Sequence, residues 1–234
     1  MSSPMRIAIF VEGLTEQEFV VRLISALAGK KNIIFSISEQ YRGTLAFVQI
    51  RSSGAGTPFA EILVANCHCD NQVKSQIRDQ YKSLEGAGYK LILGLRDVYP
   101  LAISDLGALQ QALGTGLPNG AAHVAMHLAI MEIEAWFLEE LEHYRNIDTR
   151  LTIADLIASG FDPAKVRAET FPQPAKILRD IYRRAGKGYN KSRTHVERTV
   201  NALSYDHLYT DVRAKAQSFH GFLSDLELAL FPVS

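Results

Sequence analysis

The stretch Ile7-Ala8-Ile9-Phe10-Val11, followed by Glu12-Gly13-Leu14-Thr15-Glu16, constrains the fold more than any other part of the chain. An unbroken apolar run rich in β-branched and aromatic residues is the pattern of a strand covered on both faces, as in a parallel sheet. From Thr15 the apolar residues Phe19, Val20, Leu23, Ile24 and Leu27 fall at helical spacing, and Thr15 with Glu18 makes the pattern of a capping box. The reading is a strand that delivers Glu12 to its C-terminal end, turns on Gly13 and enters a helix capped by Thr15.

The rest of the first half alternates in the same way. Ile33 to Ile37 and Leu45 to Ile50 read as strands separated by Tyr41-Arg42-Gly43. Gly54-Ala55-Gly56-Thr57-Pro58 is a break, with Thr57 as cap and Pro58 at the first helical position; an interrupted helical stretch is expected from there to Ala87. Tyr89 to Leu95 is another buried-strand signal and ends in Arg96-Asp97. A short helix is expected from Asp105 to Leu113, then a glycine-rich loop from Gly114 to Gly120. A strand-like run from His123 to Met131 then leads into Glu132-Ile133-Glu134-Ala135-Trp136, helical by Trp136. After Asp148 the character changes to four or five helices, around Ala154, Ile177, Val196 and a long stretch from Asp211 to Leu230. The expected architecture is an α/β domain over residues 1–147, a largely parallel sheet flanked by helices, followed by an all-helical C-terminal lobe over residues 148–234.

Composition limits what such a chain can bind. With 47% hydrophobic and 21% charged residues it can bury a substantial core. Its 25 basic and 25 acidic residues cancel, so contact with nucleic acid must come from local patterning and not from a global positive field. Only Arg6 precedes the first apolar run, which is too short for a signal-peptide core or a membrane span. A soluble cytoplasmic protein with no membrane association is expected. Cys67 and Cys69 flank His68; a disulfide between residues two apart is badly strained, and no second Cys/His pair at finger spacing supports zinc.

In open α/β sheets ligands bind outside the carboxyl ends of the strands. Three expected strands bring acids there: Glu12 from the first, Asp97 from a middle one, and Glu132 with Glu134 from a later one. Mg²⁺ takes oxygen ligands and needs only one or two carboxylates beside water and substrate phosphate, so these positions suffice for one ion. Such an ion would polarise a phosphodiester and activate water. Singly, each acid has a plainer reading: Glu12 as an acid at a helix N-terminus, Asp97 as a cap, Glu134 as a surface acid. Convergence from separate strands is what points to a metal.

Val11-Glu12-Gly13-Leu14-Thr15-Glu16 resembles the V-E-G-x-T-E opening of Toprim-like proteins, the metal-binding domain of topoisomerases, primases and the overcoming-lysogenization-defect nucleases. Within that group the likeness is to a branch of small Toprim-like proteins often found beside ATPases in bacterial defence loci. That branch carries D-x-Y, matched by Asp97-Val98-Tyr99, and E-x-E-A, matched by Glu132-Ile133-Glu134-Ala135. It also carries P-x-K and Y-x-K, matched by Pro174-Ala175-Lys176 and Tyr189-Asn190-Lys191, and a closing segment matched by Phe219-His220-Gly221-Phe222-Leu223. The resemblance implies a Toprim-like fold, Glu12 as metal ligand or general acid/base, metal ligation by Asp97, Mg²⁺ or Mn²⁺ as cofactor, and an ATPase partner. It departs at Tyr99, which stands where the group's D-x-D pair has its second acid, and a phenol is a poor Mg²⁺ ligand near neutrality. Either Glu132 or Glu134 supplies the missing oxygen, or the domain is not a nuclease. Glu16 and Tyr99 are then candidates for a supporting role around the ligands.

The helical half offers a phosphate-binding side. Lys176, Arg179, Arg183, Arg184, Lys187, Lys191, Arg193 and Arg198 crowd one segment, interleaved with Tyr182, Tyr189 and His195. Basic clusters with aromatics suit nucleic-acid backbones, though a charge run is equally a solvated helical face. Lys176, Arg183, Lys187, Lys191 and Arg193 are the candidate nucleic-acid contacts, and Lys191 is the residue expected at phosphate and in catalysis beside Glu12 and Asp97. His123 and His127 would share a strand face about 13 Å apart, too far for one metal.

The leading reading is a Mg²⁺-dependent phosphodiester-cleaving protein, a nuclease working with an ATPase in phage defence. The alternative is a catalytically silent Toprim-like module that binds a partner protein or nucleic acid. A nucleotide-binding α/β protein fits less well, because both the G-x-x-x-x-G-K-[ST] loop and the G-x-G-x-x-G turn are missing. Oligomeric state and the choice between DNA and RNA stay open.

Overall fold

A computed structural model describes residues 3–232. Strand β1 (Met5–Val11) leads into helix α1 (Leu14–Ala28), and β2 (Ile33–Tyr41) and β3 (Thr44–Ser52) form a hairpin. Then follow β4 (Ala60–Asn66), α2 (Asp70–Gly86), β5 (Leu91–Asp97), α3 (Leu106–Gly114) and β6 (His123–Ala129). The remainder is helical: α4 (Glu134–Glu139), α5 (His143–Ile147), α6 (Ile153–Ala158), α7 (Pro174–Arg184), α8 (Arg193–Ala202), α9 (Tyr205–His207), α10 (Arg213–Lys215) and α11 (Gln217–Leu230). The expected α/β core with a helical C-terminal region is thus what the chain forms.

The chain divides into two compact units. One holds the residues through Arg96, Ala108–Leu128 and those from Phe222 onward; the other holds Asp97–Gly107 and Ala129–Gly221.

In the first unit the sheet order is β3-β2-β4-β1-β5-β6. β1 runs parallel to both β4 and β5, and β2 parallel to β4; only the β2–β3 hairpin is antiparallel among the pairs whose register is defined. Central position explains why Ile7 to Val11 are all fully buried: helices cover both faces of a parallel sheet, so neither side chain alternation nor a polar face survives. Val11 pairs with Asn66 on one side and Leu95 on the other, which brings the C-terminal ends of β1, β4 and β5 level. The hairpin turn is Arg42-Gly43, both with positive φ (50° and 85°), the two-residue geometry that matches strand twist. At Gly94 in β5, a Cβ atom would meet Met126 Sδ of β6 at 2.3 Å, so any larger residue there would require the Met126 side chain to move.

Two local expectations are corrected here. The helix expected after Pro58 does not start there: Ala60 to Asn66 is β4, a central strand, and α2 begins only at Asp70. Ile62 and Val64 are β-branched and lie buried between two strand neighbours, a tertiary environment that overrides the weak helical spacing. Nor is Thr15 a cap. α1 begins at Leu14 with extended Gly13 at its cap position, and no side chain caps it. Glu18 is instead drawn into a bidentate pair with Arg51 (2.6 and 2.8 Å), a cross-element bond that outcompetes a local one.

The second unit packs its helices around Trp136, Tyr182, Phe161 and Phe219, all fully buried. Trp136 donates from Nε1 to Ser218 Oγ at 2.8 Å and its ring lies 5.0 Å from that of Phe219. The expected long helix from Asp211 to Leu230 is broken: a π-helical turn at Leu208–Val212 precedes α10, and Ala216 is extended before α11 begins.

Candidate metal centre

Asp97 is the last residue of β5, a strand with every residue buried. The chain leaves it through Val98 and Tyr99, whose backbone N–H groups donate to Ala129 O (3.1 Å) and Met131 O (2.7 Å). Those bonds hold the two segments side by side, and Asp97 Oδ1 accepts from the Ile133 N–H at 2.9 Å. Met131 has φ 64°, a left-handed conformation uncommon for a side chain of its kind, and directly precedes Glu132. That kink turns the chain from β6 into α4, so Glu132 and Glu134 are aimed into the same place as Asp97. Asp97, Glu132 and Glu134 are 5%, 8% and 0% exposed, and each offers one carboxylate oxygen within 4.8 Å of the others.

Three buried carboxylates cannot sit so close without compensation. Glu132 Oε2 accepts the Ala175 N–H at 2.9 Å, in the first turn of α7, where the backbone donors and helix dipole favour an anion. Glu134 Oε1 accepts a 2.6 Å hydrogen bond from the Tyr189 hydroxyl. Its Oε2 makes no hydrogen bond but lies 3.2 Å from the Lys191 ammonium, which is also 3.4 Å from Glu132 Oε1. Lys191 itself has φ 59°, so a second left-handed residue turns toward the acids. Burial pushes the Glu132 carboxyl above its ordinary range; Glu134 beside it adds to that, and Lys191 and the Ala175 N–H oppose it.

The donor set fits a hard divalent cation: oxygens only, convergent, with one buried carboxylate oxygen lacking a hydrogen bond. Asp97, Glu132 and Glu134 would hold it, with Lys191 at its edge. All of these, and Tyr99, belong to the second unit. Tyr99 is 41% exposed and follows Asp97 by two residues. Glu12 and Glu16 belong to the first unit, at the β1–α1 turn, where Glu12 is half-buried and Glu16 buried.

The basic residues proposed for nucleic acid fall on α7, the loop after it and α8, and each has an acidic neighbour. Lys176 and Arg183 lie 3.1 and 3.4 Å from Asp180, Lys187 lies 3.8 Å from Asp148, and Arg193 lies 3.7 Å from Glu197. The charge run is therefore partly neutralised locally. Lys191 differs from the others in reaching the buried acids.

Comparison with known families matches residues 11–227 to a family described as Domain of unknown function (DUF4276). The chain belongs to that family. The matched span of DUF4276 takes in Glu12, the three clustered acids and Lys191 together. No curated protein and no solved structure matches the chain. Among the described residues of this DUF4276 chain, no helix is long and apolar enough to cross a membrane.

Some buried polar groups escape sequence reasoning. Glu140 is fully buried, and its carboxylate accepts the backbone N–H groups of Glu142, His143 and Ser204 (2.8, 3.0 and 3.1 Å), fixing the α4–α5 turn and the start of α9. Glu139 accepts the Ala168 N–H at 2.7 Å. Both sit in an ordinary-looking run, Leu138-Glu139-Glu140-Leu141, that carries no motif. Tyr189 was visible in sequence as an aromatic among lysines, with nothing to mark it as the partner of Glu134.

Proposed function

We propose that this chain is a Toprim-like, Mg²⁺- or Mn²⁺-dependent protein acting on the phosphodiester backbone of nucleic acid, in concert with an ATPase. The single observation that carries the reading is the buried trio Asp97, Glu132 and Glu134, with one oxygen of each inside 4.8 Å. A divalent ion bound there supplies Lewis-acid polarisation of a phosphoryl oxygen and a more acidic water. The chain's own contribution is to orient the carboxylates. Asp97 is held by the Ile133 N–H, Glu132 by the start of α7, and Glu134 by Tyr189. Lys191, with its side chain 40% exposed, has its ammonium at the acids and access to solvent, a position suited to a phosphate oxygen. Lys176, Arg183, Lys187 and Arg193 are proposed to follow the backbone beyond it. Glu12 and Glu16 enter on the resemblance to the V-E-G-x-T-E opening, and the ATPase and a role in phage defence enter on it alone.

The test is incubation with plasmid, single-stranded DNA and tRNA in Mg²⁺ or Mn²⁺, alone and with any ATPase that co-purifies with the chain, for wild type, Asp97→Asn, Glu134→Gln and Glu12→Gln. Cleavage lost in the Asp97 and Glu134 variants supports the reading. Wild-type activity no greater than that of Asp97→Asn sinks it.

One observation favours a second reading, a silent binding module. The Lys191 ammonium already lies 3.2 Å from Glu134 and 3.4 Å from Glu132, where it can neutralise them as an internal cation, and Tyr99 replaces an acid. Calorimetric titration with Mg²⁺ and Mn²⁺ separates the two: heat of binding abolished by Asp97→Asn excludes an internal cation as sole occupant.

A further inference from the structure

Beside the acid trio, within the second unit, lies an open cleft of about 330 Å³, walled by Tyr99, Leu101, Ile103, Met131, Pro172 and Gln173. Its size is at the small end for ligand sites, nearer a mononucleotide than a larger ligand. No charged side chain lines it, so it is not built for phosphate. Each wall is joined to one of the acids: Tyr99 follows Asp97 by two residues, Met131 directly precedes Glu132, and Gln173 precedes the α7 turn whose Ala175 N–H binds Glu132. Leu101 and Ile103 are exposed at 39% and 50% on the same segment as Tyr99, an apolar ledge without a core role.

We infer that this cleft takes the unstacked base of the nucleotide whose phosphate lies at the acid trio, which makes single-stranded nucleic acid the substrate class. The inference rests on the phosphodiester reading above. An open, largely apolar cleft with one exposed aromatic ring suits a base face, since stacking on an aromatic is tolerant of base identity. Among the lining residues Gln173 has an amide that can face a base edge, and the Thr170 hydroxyl, which donates to Arg167 O at 2.7 Å, can still accept. Paired bases are stacked within a duplex and cannot enter unless extruded, so the cleft discriminates against duplex. Tyr99 then has a role that an acid at its position could not fill, and its replacement of the second acid is a gain in base binding.

The experiment is fluorescence anisotropy of labelled oligonucleotides in Ca²⁺ or Mg²⁺: an intact single strand, the same strand with abasic sites, and a duplex. Wild type, Tyr99→Ala, Tyr99→Phe and Asp97→Asn are compared. The inference expects the intact strand to bind roughly tenfold more tightly than the abasic strand, from the usual strength of base–aromatic stacking. Tyr99→Ala should remove that preference and leave abasic binding unchanged, and Tyr99→Phe should keep it. Metal-dependent binding that treats intact, abasic and duplex strands alike overturns the base cleft and leaves the phosphodiester reading standing. A Tyr99→Ala loss shared equally by intact and abasic strands also overturns the base cleft. Failure of every strand to bind, with metal present and wild type indistinguishable from Asp97→Asn, overturns both.

Discussion

Tyr189 donates a 2.6 Å hydrogen bond to Glu134, a carboxylate with no exposed surface. The two residues are far apart in sequence, and the bond joins the loop before α8 to the first turn of α4. A buried carboxylate needs such a donor, because loss of one partner leaves the charge poorly solvated. Tyr189→Phe is accordingly expected to cost about 1–3 kcal/mol. Urea unfolding of the two proteins measures it, and an unchanged midpoint would show that the bond contributes nothing.

A metal ion bound at the trio would compete with Lys191 for the same charge. Replacing Lys191 with Met removes the cation 3.2 Å from Glu134 and 3.4 Å from Glu132. The metal-free variant should melt lower than wild type, and Mg²⁺ should raise its melting temperature more than it raises that of wild type. A ligand that binds only the folded state stabilises it by mass action, and about 1 kcal/mol corresponds to roughly 2–4 °C in a chain of this size. Thermal melts with and without 10-fold steps of Mg²⁺ check this; equal shifts in both proteins would mean that Lys191 does not share the site.

His127 provides a pH dependence of its own. It lies on β6, with Asp225 at 2.9 Å, the Phe222 ring at 5.5 Å and His123 on the same strand. Burial pulls its pKa below the ordinary 6.5, and the His123 charge adds to that, while Asp225 opposes both. A depressed pKa means that the unfolded chain binds the proton first. His127 therefore costs nothing above pH 6.5, and stability is lost as pH falls from there through the folded value. His127→Gln should show a shallower loss of stability below pH 6.5, read from denaturant midpoints between pH 7.5 and 5. Parallel curves for the two proteins would assign the acid sensitivity elsewhere.

The two thiols should differ sharply. Cys67 is buried and its pKa is pushed up to about 12, chiefly by burial, with Cys69 adding to it. Cys69 is exposed, and neither cysteine is in a disulfide. Because the thiolate is the reactive form, a thiol reagent at pH 8 is expected to modify one cysteine per native chain and two in denaturant. Mass spectrometry after iodoacetamide treatment identifies the site; modification of Cys67 at the rate of Cys69 would show that the β4–α2 turn opens readily.

Much of the arrangement could be read in advance. β1 and β5 appear in the sequence as apolar runs between breaks, because a strand buried on both faces has to be apolar throughout; β2, β3 and β6 also stand out as apolar runs, although β3 and most of β6 are not buried. β4 was hidden: Ala60 to Asn66 follows Thr57-Pro58, which reads as a helix start, and only pairing with β1 and β2 makes it a strand. The Thr15–Glu18 pattern misled for the opposite reason. A local cap was available, but Arg51 on β3 offered Glu18 two charge-assisted bonds.

The stretch from Ile7 to Glu16 determined by itself a strand entering a helix, and the acids after successive strands named Glu12, Asp97, Glu132 and Glu134, of which the last three form the cluster. Those are consequences of periodicity and residue type, which act locally. Which groups neutralise the acids was decided by the tertiary structure alone. Tyr189, Lys191 and the Ala175 N–H reach Glu132 and Glu134 because the fold returns α7 and the loop after it to the start of α4. Hydrogen bonds and ion pairs act over a few ångströms in space, so no spacing along the chain encodes them.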